Sequence, residues 1–239
     1  MAVVLLVIGI GLLFIAIERI FPGRALPQSP GWYARTALLN LAQVGVVVLA
    51  GVTWNAWFRG HSLFDIARVL PAPAQGLLSW FIGTFVFYWW HRARHDIRFL
   101  WLGLHQIHHS ASRIEILTSF YKHPLEQMSN SIIIGCILFV VLGAEPEAAA
   151  WFNLIAATGE MFYHANLSTP RWVGYVMQRP EHHSIHHEFG VHRYNFGDIT
   201  WWDRLFGTFK EAEQFAARCG FEEGREQRLP EMLAFRKVS

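Results

Sequence analysis

The stretch "GLLSWFIGTFVFYWWHRARH", residues 76–95, decides the fold. Its first fifteen residues carry no charge, and they run straight into two histidines and two arginines. An apolar run of this kind suits a helix in hydrocarbon, and the abrupt polarity at His91 marks where it leaves. The same contrast recurs outward in both directions. Toward the N-terminus lie "MAVVLLVIGIGLLFIAI" (1–17) and "TALLNLAQVGVVVLAGVTWNAWF" (36–58), the second long enough to span and rich in Trp and Phe at its far end. The first has neither the basic start nor the small-residue cleavage site of a secretory signal, so it reads as a membrane helix. Toward the C-terminus lie "MSNSIIIGCILFVVLG" (128–143) and "AAWFNLIAATGEMFY" (149–163), joined by the acidic turn "AEPEA".

Composition agrees. Of 239 residues, 53% are hydrophobic and 16% charged, against about 25% charged in an ordinary soluble domain. The mean hydropathy is +0.24. The expected fold is all-α: a polytopic membrane protein with four or five transmembrane helices and a cytosolic helical cap, with no sheet of consequence. Arg19, Arg24 and Arg35 bracket the first loop, which places it in the cytoplasm. Counting spans from there puts every histidine cluster on that same side, as in the inner membrane of a bacterial cell. A net charge of +2 without a basic stripe excludes nucleic acid. Two cysteines, Cys136 and Cys219, exclude a disulfide framework and a four-cysteine iron–sulfur site in this chain.

Thirteen histidines stand out in so apolar a chain. Three clusters hold most of them: "HRARH" (91–95), "HQIHH" (105–109) and "HSIHH" (183–187). On a helix, positions i, i+3 and i+4 share a face, so each cluster is expected to aim its rings to one side. Neutral imidazole is the commonest metal-ligating side chain. Eight such rings exceed what one ion takes, and two ions with four or five ligands each would use them. All-nitrogen ligation suits zinc, copper, iron or nickel, so these residues alone leave the metal open.

The three boxes, in this order and spacing, resemble the fatty acid hydroxylase/sterol desaturase superfamily of integral-membrane di-iron oxygenases. "KHPLE" (122–126), "HAN" (164–166) and "NFGDITWWDRLFGTF" (195–209) are similar to further segments of that family. Arg193 departs from it, standing where related sequences often carry an acid. The resemblance covers 76–210 and implies a catalytic domain there, after the N-terminal membrane helices and connecting loops of 1–75 and before a polar tail over 211–239; it also implies two iron ions, O2 as co-substrate, and hydroxylation, oxidation or desaturation of a lipid C–H bond. It implies that His91, His95, His105, His108, His109, His183, His186 and His187 are ligands, with His164 a ninth. His123, Glu160 and His182 are expected either to ligate or to hold a ligand in place. Histidine ligands usually donate their outer N–H to a carboxylate or carbonyl, and Asp96, Glu126, Asn166, Asp198 and Asp203 are candidates. Asp203 and Arg204 are also expected to pair and dock the tail. No catalytic residue beyond the ligands is singled out.

The chain has no dinucleotide fingerprint and no cysteine set of its own, so electrons are expected from an external donor: a ferredoxin, a haem protein or a flavoprotein reductase. A histidine-rich membrane metal-binding or transport protein is one competing reading, and a degenerate family member with a structural metal is another. A transporter would place its ligands near mid-membrane, whereas these boxes sit at span ends.

Overall fold

The computed structural model describes residues 2–239. Eleven α-helices follow one another: α1 (Ala2–Ile20), α2 (Trp32–Val52), α3 (Trp54–Phe58), α4 (Ala72–Asp96), α5 (Arg98–Leu100), α6 (Gln106–Ser110), α7 (Pro124–Gly135), α8 (Pro146–His164), α9 (Pro180–His186), α10 (Thr200–Leu205) and α11 (Leu229–Leu233). Among the described residues no strand forms, and two isolated bridges, Met177 with Ile199 and Glu188 with Cys219, are the whole of the β-pairing.

Among the described residues the five apolar runs are helical except at Thr53, Leu142 and Gly143, and each is extended by its helix at one end or both. Proline within the first turn starts α4, α7, α8 and α9, where its missing N–H costs nothing and its fixed φ suits a helix. Helix α4 continues six residues past its apolar run, to Asp96, and so carries "HRARH". The run at 36–58 breaks at Thr53, whose φ of −117° and ψ of −104° separate α2 from α3. The run at 128–143 changes from α-helix to a π-helical turn over Cys136–Val141.

Two helices, Trp32–Phe58 and Pro124–Val141, are long and apolar enough to cross a membrane. Only 22% of the most apolar stretch of the first is buried, so this is not the core helix of a soluble protein. Leu38, Leu41, Val44 and Val48 on α2 and Leu5, Leu12 and Leu13 on α1 are exposed, an apolar surface that only lipid covers well. This is a membrane protein.

Helices α4 and α8 pack most closely. A Cβ on Gly76 would stand 2.5 Å from the Cβ of Trp151 and 2.9 Å from the Ala148 carbonyl, so glycine is what lets the two backbones approach. At one end of the helices the first loop, the boxes and the tail gather. Glu18 on α1 accepts from the amides of Ile116 and Asn166 at 3.1 and 3.0 Å. Glu115 accepts from Arg19 at 2.5 Å and from the Trp32 indole at 2.7 Å. The Arg24 guanidinium reaches the carbonyl of Ala216 in the tail at 2.6 Å. The tail is therefore no appendage: Ala216, Cys219, Phe221, Leu229, Met232 and Val238 share one buried cluster with Trp32, Leu39 and Ile107. At the other end the 59–75 loop meets the turn before α8, with Leu63 N bonded to the Val140 carbonyl at 2.7 Å and Gln75 to Glu145.

A candidate two-metal centre

Nine histidines gather at the tail end of the bundle in two groups. One holds His91, His95, His105, His109 and His186, and the other His108, His164, His183 and His187. Within each group one ring nitrogen from every residue lies within 4.8 Å of all the others. His91 and His95 are half-buried and the other seven are buried. The groups adjoin through His109 and His187, whose rings stack with centroids 4.3 Å apart.

The grouping corrects one expectation. The second and third boxes do not each aim at one side. His105 and His109, at i and i+4, join the first group, and His108, at i+3, joins the second. The third box is the mirror case: His183 and His187 join the second group and His186 the first. The reason is angular. Residues i+3 and i+4 lie on opposite edges of the face that residue i defines, about 100° apart at 3.6 residues per turn. A helix lying between two centres can therefore feed both. His105 closes a π-helical turn, Trp101–His105, that leads into α6. Such turns are frequent at functional sites.

Each group has its outer supports. His91 Nδ1 lies 2.8 Å from the Phe196 carbonyl, and His186 Nδ1 lies 2.8 Å from that of Tyr194. His164 Nδ1 lies 2.8 Å from the Glu160 carbonyl one turn back. A carbonyl can only accept, so Nδ1 carries the proton in all three and Nε2 presents a lone pair inward. His105 Nδ1 meets the Glu126 carboxylate at 3.0 Å. Glu126 in turn pairs with Arg94, and both are buried.

The inner nitrogens have nothing to bond. His91 Nε2, His105 Nε2, His186 Nε2 and both ring nitrogens of His95 and His109 are buried without a hydrogen-bond partner. In the second group Nε2 of His164 faces Nε2 of His108 at 3.3 Å and Nε2 of His183 at 3.0 Å. Converging unpartnered lone pairs are costly unless a cation sits among them. Burial also keeps these rings neutral. It pushes His105, His108, His109, His183 and His187 well below the ordinary histidine value, and His186 to about 3. A neutral imidazole is the form that ligates. The donor set fits two metal ions.

The remaining candidates fall elsewhere. His123 caps α7, its Nδ1 accepting from Leu125 N at 3.0 Å, and its ring stacks on Phe235, so it joins neither group. His182 meets Glu211 at 2.7 Å and stands outside both groups. Glu160 supports His164 with its carbonyl, while its carboxylate pairs with Lys122 at 2.7 Å. Asp96 is exposed at the end of α4 and pairs with Arg92 at 3.5 Å, away from any histidine. Asn166 instead bonds both backbone groups of Arg24, tying the first loop to the end of α8. Asp198 acts at one remove: it accepts from the Tyr163 hydroxyl at 3.0 Å, and that ring packs on His164 and His183. Burial raises the Asp198 carboxyl to about 6. Asp203 also acts at one remove, holding the Phe196 and Gly197 amides at 2.8 Å each and so positioning the carbonyl that takes His91. It forms no pair with Arg204, whose guanidinium lies over Phe209 at 3.7 Å; neighbours on a helix point apart.

Three contributors carried no signal strong enough to single them out: Arg94, Lys122 and Tyr163. Arg94 alone was open to reading, since it sits at i+3 from His91 and so on the ligand face.

The fatty acid hydroxylase family profile matches residues 76–208, more than half of the chain. Alkylglycerol monooxygenase of Danio rerio is 26% identical over 155 residues, 62% of this chain and 34% of its own length. The Homo sapiens alkylglycerol monooxygenase is 30% identical over 161 residues, 63% of this chain and 35% of its own. Sphinganine C4-monooxygenase 1 of Arabidopsis thaliana is 29% identical over 126 residues, 51% of this chain and 48% of its own. The chain thus spans between a third and a half of these relatives. No solved structure matches.

Proposed function

The chain belongs to the fatty acid hydroxylase family, and from that membership we propose that it is a membrane-bound di-iron oxidoreductase acting on a C–H bond of a lipid. The observation that carries this is the sorting of nine histidines into adjoining groups of five and four. Its matched relatives are named for oxidising alkylglycerol and sphinganine, both lipids. The substrate class is a sterol, fatty acyl chain or related lipid drawn from the bilayer.

His91, His95, His105, His109 and His186 would hold one iron, and His108, His164, His183 and His187 the other. Bound there, iron supplies the oxidising power that an unactivated C–H bond requires from O2. The balance is fixed: a C–H bond, O2, two electrons and two protons give C–OH and water. Desaturation consumes the same and gives a C=C bond and two waters. The electrons come from outside the chain.

The protein's own residues have three tasks. The Phe196, Tyr194 and Glu160 carbonyls and the Glu126 carboxylate fix ring orientation and tautomer. The buried Arg94 balances Glu126, so the pair adds no net charge beside His105. The burial of the seven inner histidines keeps water from the reacting groups. The histidine-bearing end faces the cytoplasm, where a donor can reach it.

The test is metal content and turnover together. Protein purified in detergent from iron-replete cells should hold two irons per chain and oxidise a long-chain lipid when given O2 and a reductase system. A single zinc per chain, with no lipid oxidation across a sterol, acyl and ether-lipid screen, would replace this reading with a metal-binding role.

A further inference from the structure

Trp101 stands between the five-histidine group and the protein surface. It is half-buried, and its ring lies 5.2 Å from His95, 5.3 Å from His109 and 6.1 Å from His105. His192 packs against it at 5.3 Å. The end of the tail is laid along it: the indole N–H donates to Ser239 Oγ at 3.1 Å, and Gln106 donates to the Arg236 carbonyl at 3.0 Å.

Four cations belong to the segments that meet at this spot. Arg98 lies one turn before Trp101, Arg193 follows His192, and Arg236 and Lys237 belong to the applied tail. All four are exposed, and among the described residues none makes an ion pair. The acids nearest them in sequence are taken: Asp96 pairs with Arg92 and Glu231 with Arg228. Phe99, Tyr194 and Phe235 are exposed among the same residues. Arginine and aromatics with no free acid is the composition of a protein-binding surface. The large cleft, about 1650 Å³, lies between residues 23–30 and 213–227, and neither Trp101 nor any of the four cations lines it.

We propose that this face docks a small acidic one-electron carrier protein, and that Trp101 is the contact through which its electrons reach the five-histidine group. This rests on the di-iron reading above. Each turnover needs two electrons, so a one-electron carrier must arrive and leave twice, being oxidised each time. Charge complementarity speeds arrival without demanding a long-lived complex. Trp101 itself favours a redox protein over anionic lipid. A lipid-binding patch gains nothing from an indole in contact with three of five metal-binding imidazoles.

The experiment uses the full iron-loaded chain in detergent, with a plant-type [2Fe–2S] ferredoxin, pre-reduced, as the probe. Its oxidation is followed by stopped flow. For the native chain the rate should fall as salt rises. R236E/K237E should slow it about tenfold or more at low salt. Iron content and direct reduction by dithionite should stay unchanged. Trp101→Leu should slow it as well, with dithionite reduction retained. A rate indifferent to both salt and charge reversal, in protein holding two dithionite-reducible irons, overturns the docking face alone. Unchanged ferredoxin oxidation with loss of co-purifying phosphatidylserine makes the face a lipid contact and also overturns it. Protein without reducible iron overturns the di-iron reading, and this inference with it.

Discussion

His164 Nε2 lies 3.0 Å from His183 Nε2, although the two residues sit on different helices and neither ring is charged at neutral pH by its surroundings. The Glu160 carbonyl holds the proton of His164 on Nδ1, so the nitrogen facing His183 carries a lone pair. Two groups with separate ligand sets make a prediction that one shared site does not. His164→Ala should remove one iron and leave the five-histidine group loaded, so content falls from about two to about one per chain. His91→Ala should do the same from the other side. Content by plasma emission, with helicity by circular dichroism as a fold check, decides it. Loss of both irons in both variants would mean the groups bind as a single unit.

Among the described residues Glu126 is the one carboxylate that touches a ring of the five-histidine group, at 3.0 Å from His105 Nδ1, and Arg94 is its buried counter-ion. Glu126→Gln keeps the shape and removes the charge. Outer partners of metal-binding histidines typically contribute 10–100-fold to affinity, so iron should leave this group roughly that much more readily to a chelator. The variant also strands Arg94. Removing one member of a buried pair costs about 3–5 kcal/mol, so thermal unfolding should come markedly earlier. Adding Arg94→Met should recover stability while the iron affinity stays low. A double variant no more stable than Glu126→Gln would show that the pair is not what holds these helices.

The histidines were legible because the chemistry is written in local spacing, and i, i+3, i+4 patterns survive without knowledge of the fold. Their allocation to two centres was not, because it depends on how α4, α6, α8 and α9 are placed around one point. Partners were legible only where they lay one turn away, as Glu160 does from His164. The carbonyls of Tyr194 and Phe196 come from a loop on which any residue would offer the same group, so no side chain announces them. Asp96 misled for the opposite reason. It is next to His95 in sequence, yet α4 turns it to solvent. The apolar runs gave the helices, but glycine at 76 needed α8 beside it before its role could be seen.

Val44 tests the lipid-facing surface. It is 60% exposed on α2, in the middle of the Trp32–Phe58 helix. An arginine at the centre of a membrane helix costs about 2.5–3.5 kcal/mol of insertion, whereas on a water-exposed face it costs next to nothing. Val44→Arg should shift a large share of the chain out of the carbonate-resistant membrane fraction. Full retention with native iron content would show that this face is not against lipid.

Acid should empty the centre, and the direction follows from the imidazoles outside the membrane helices. Burial holds His105, His108, His109, His183 and His187 well below their ordinary value, with His186 at about 3. In the unfolded chain the same groups titrate near about 6.5. Between those values the unfolded chain binds more protons than the folded one, so stability rises with pH there. The contribution is complete above about 6.5 and is lost as pH falls toward the folded values. Protons also compete directly with metal for the same nitrogens. Iron content and thermal midpoint should therefore be level from pH 7 to 8 and decline below about 6. Because several histidines take up protons together, the decline should be steeper than a single titration gives. Dialysis of the purified protein across this range, with iron and unfolding read on the same samples, measures both. Iron retained undiminished at pH 4.5 would show that these imidazoles do not hold it.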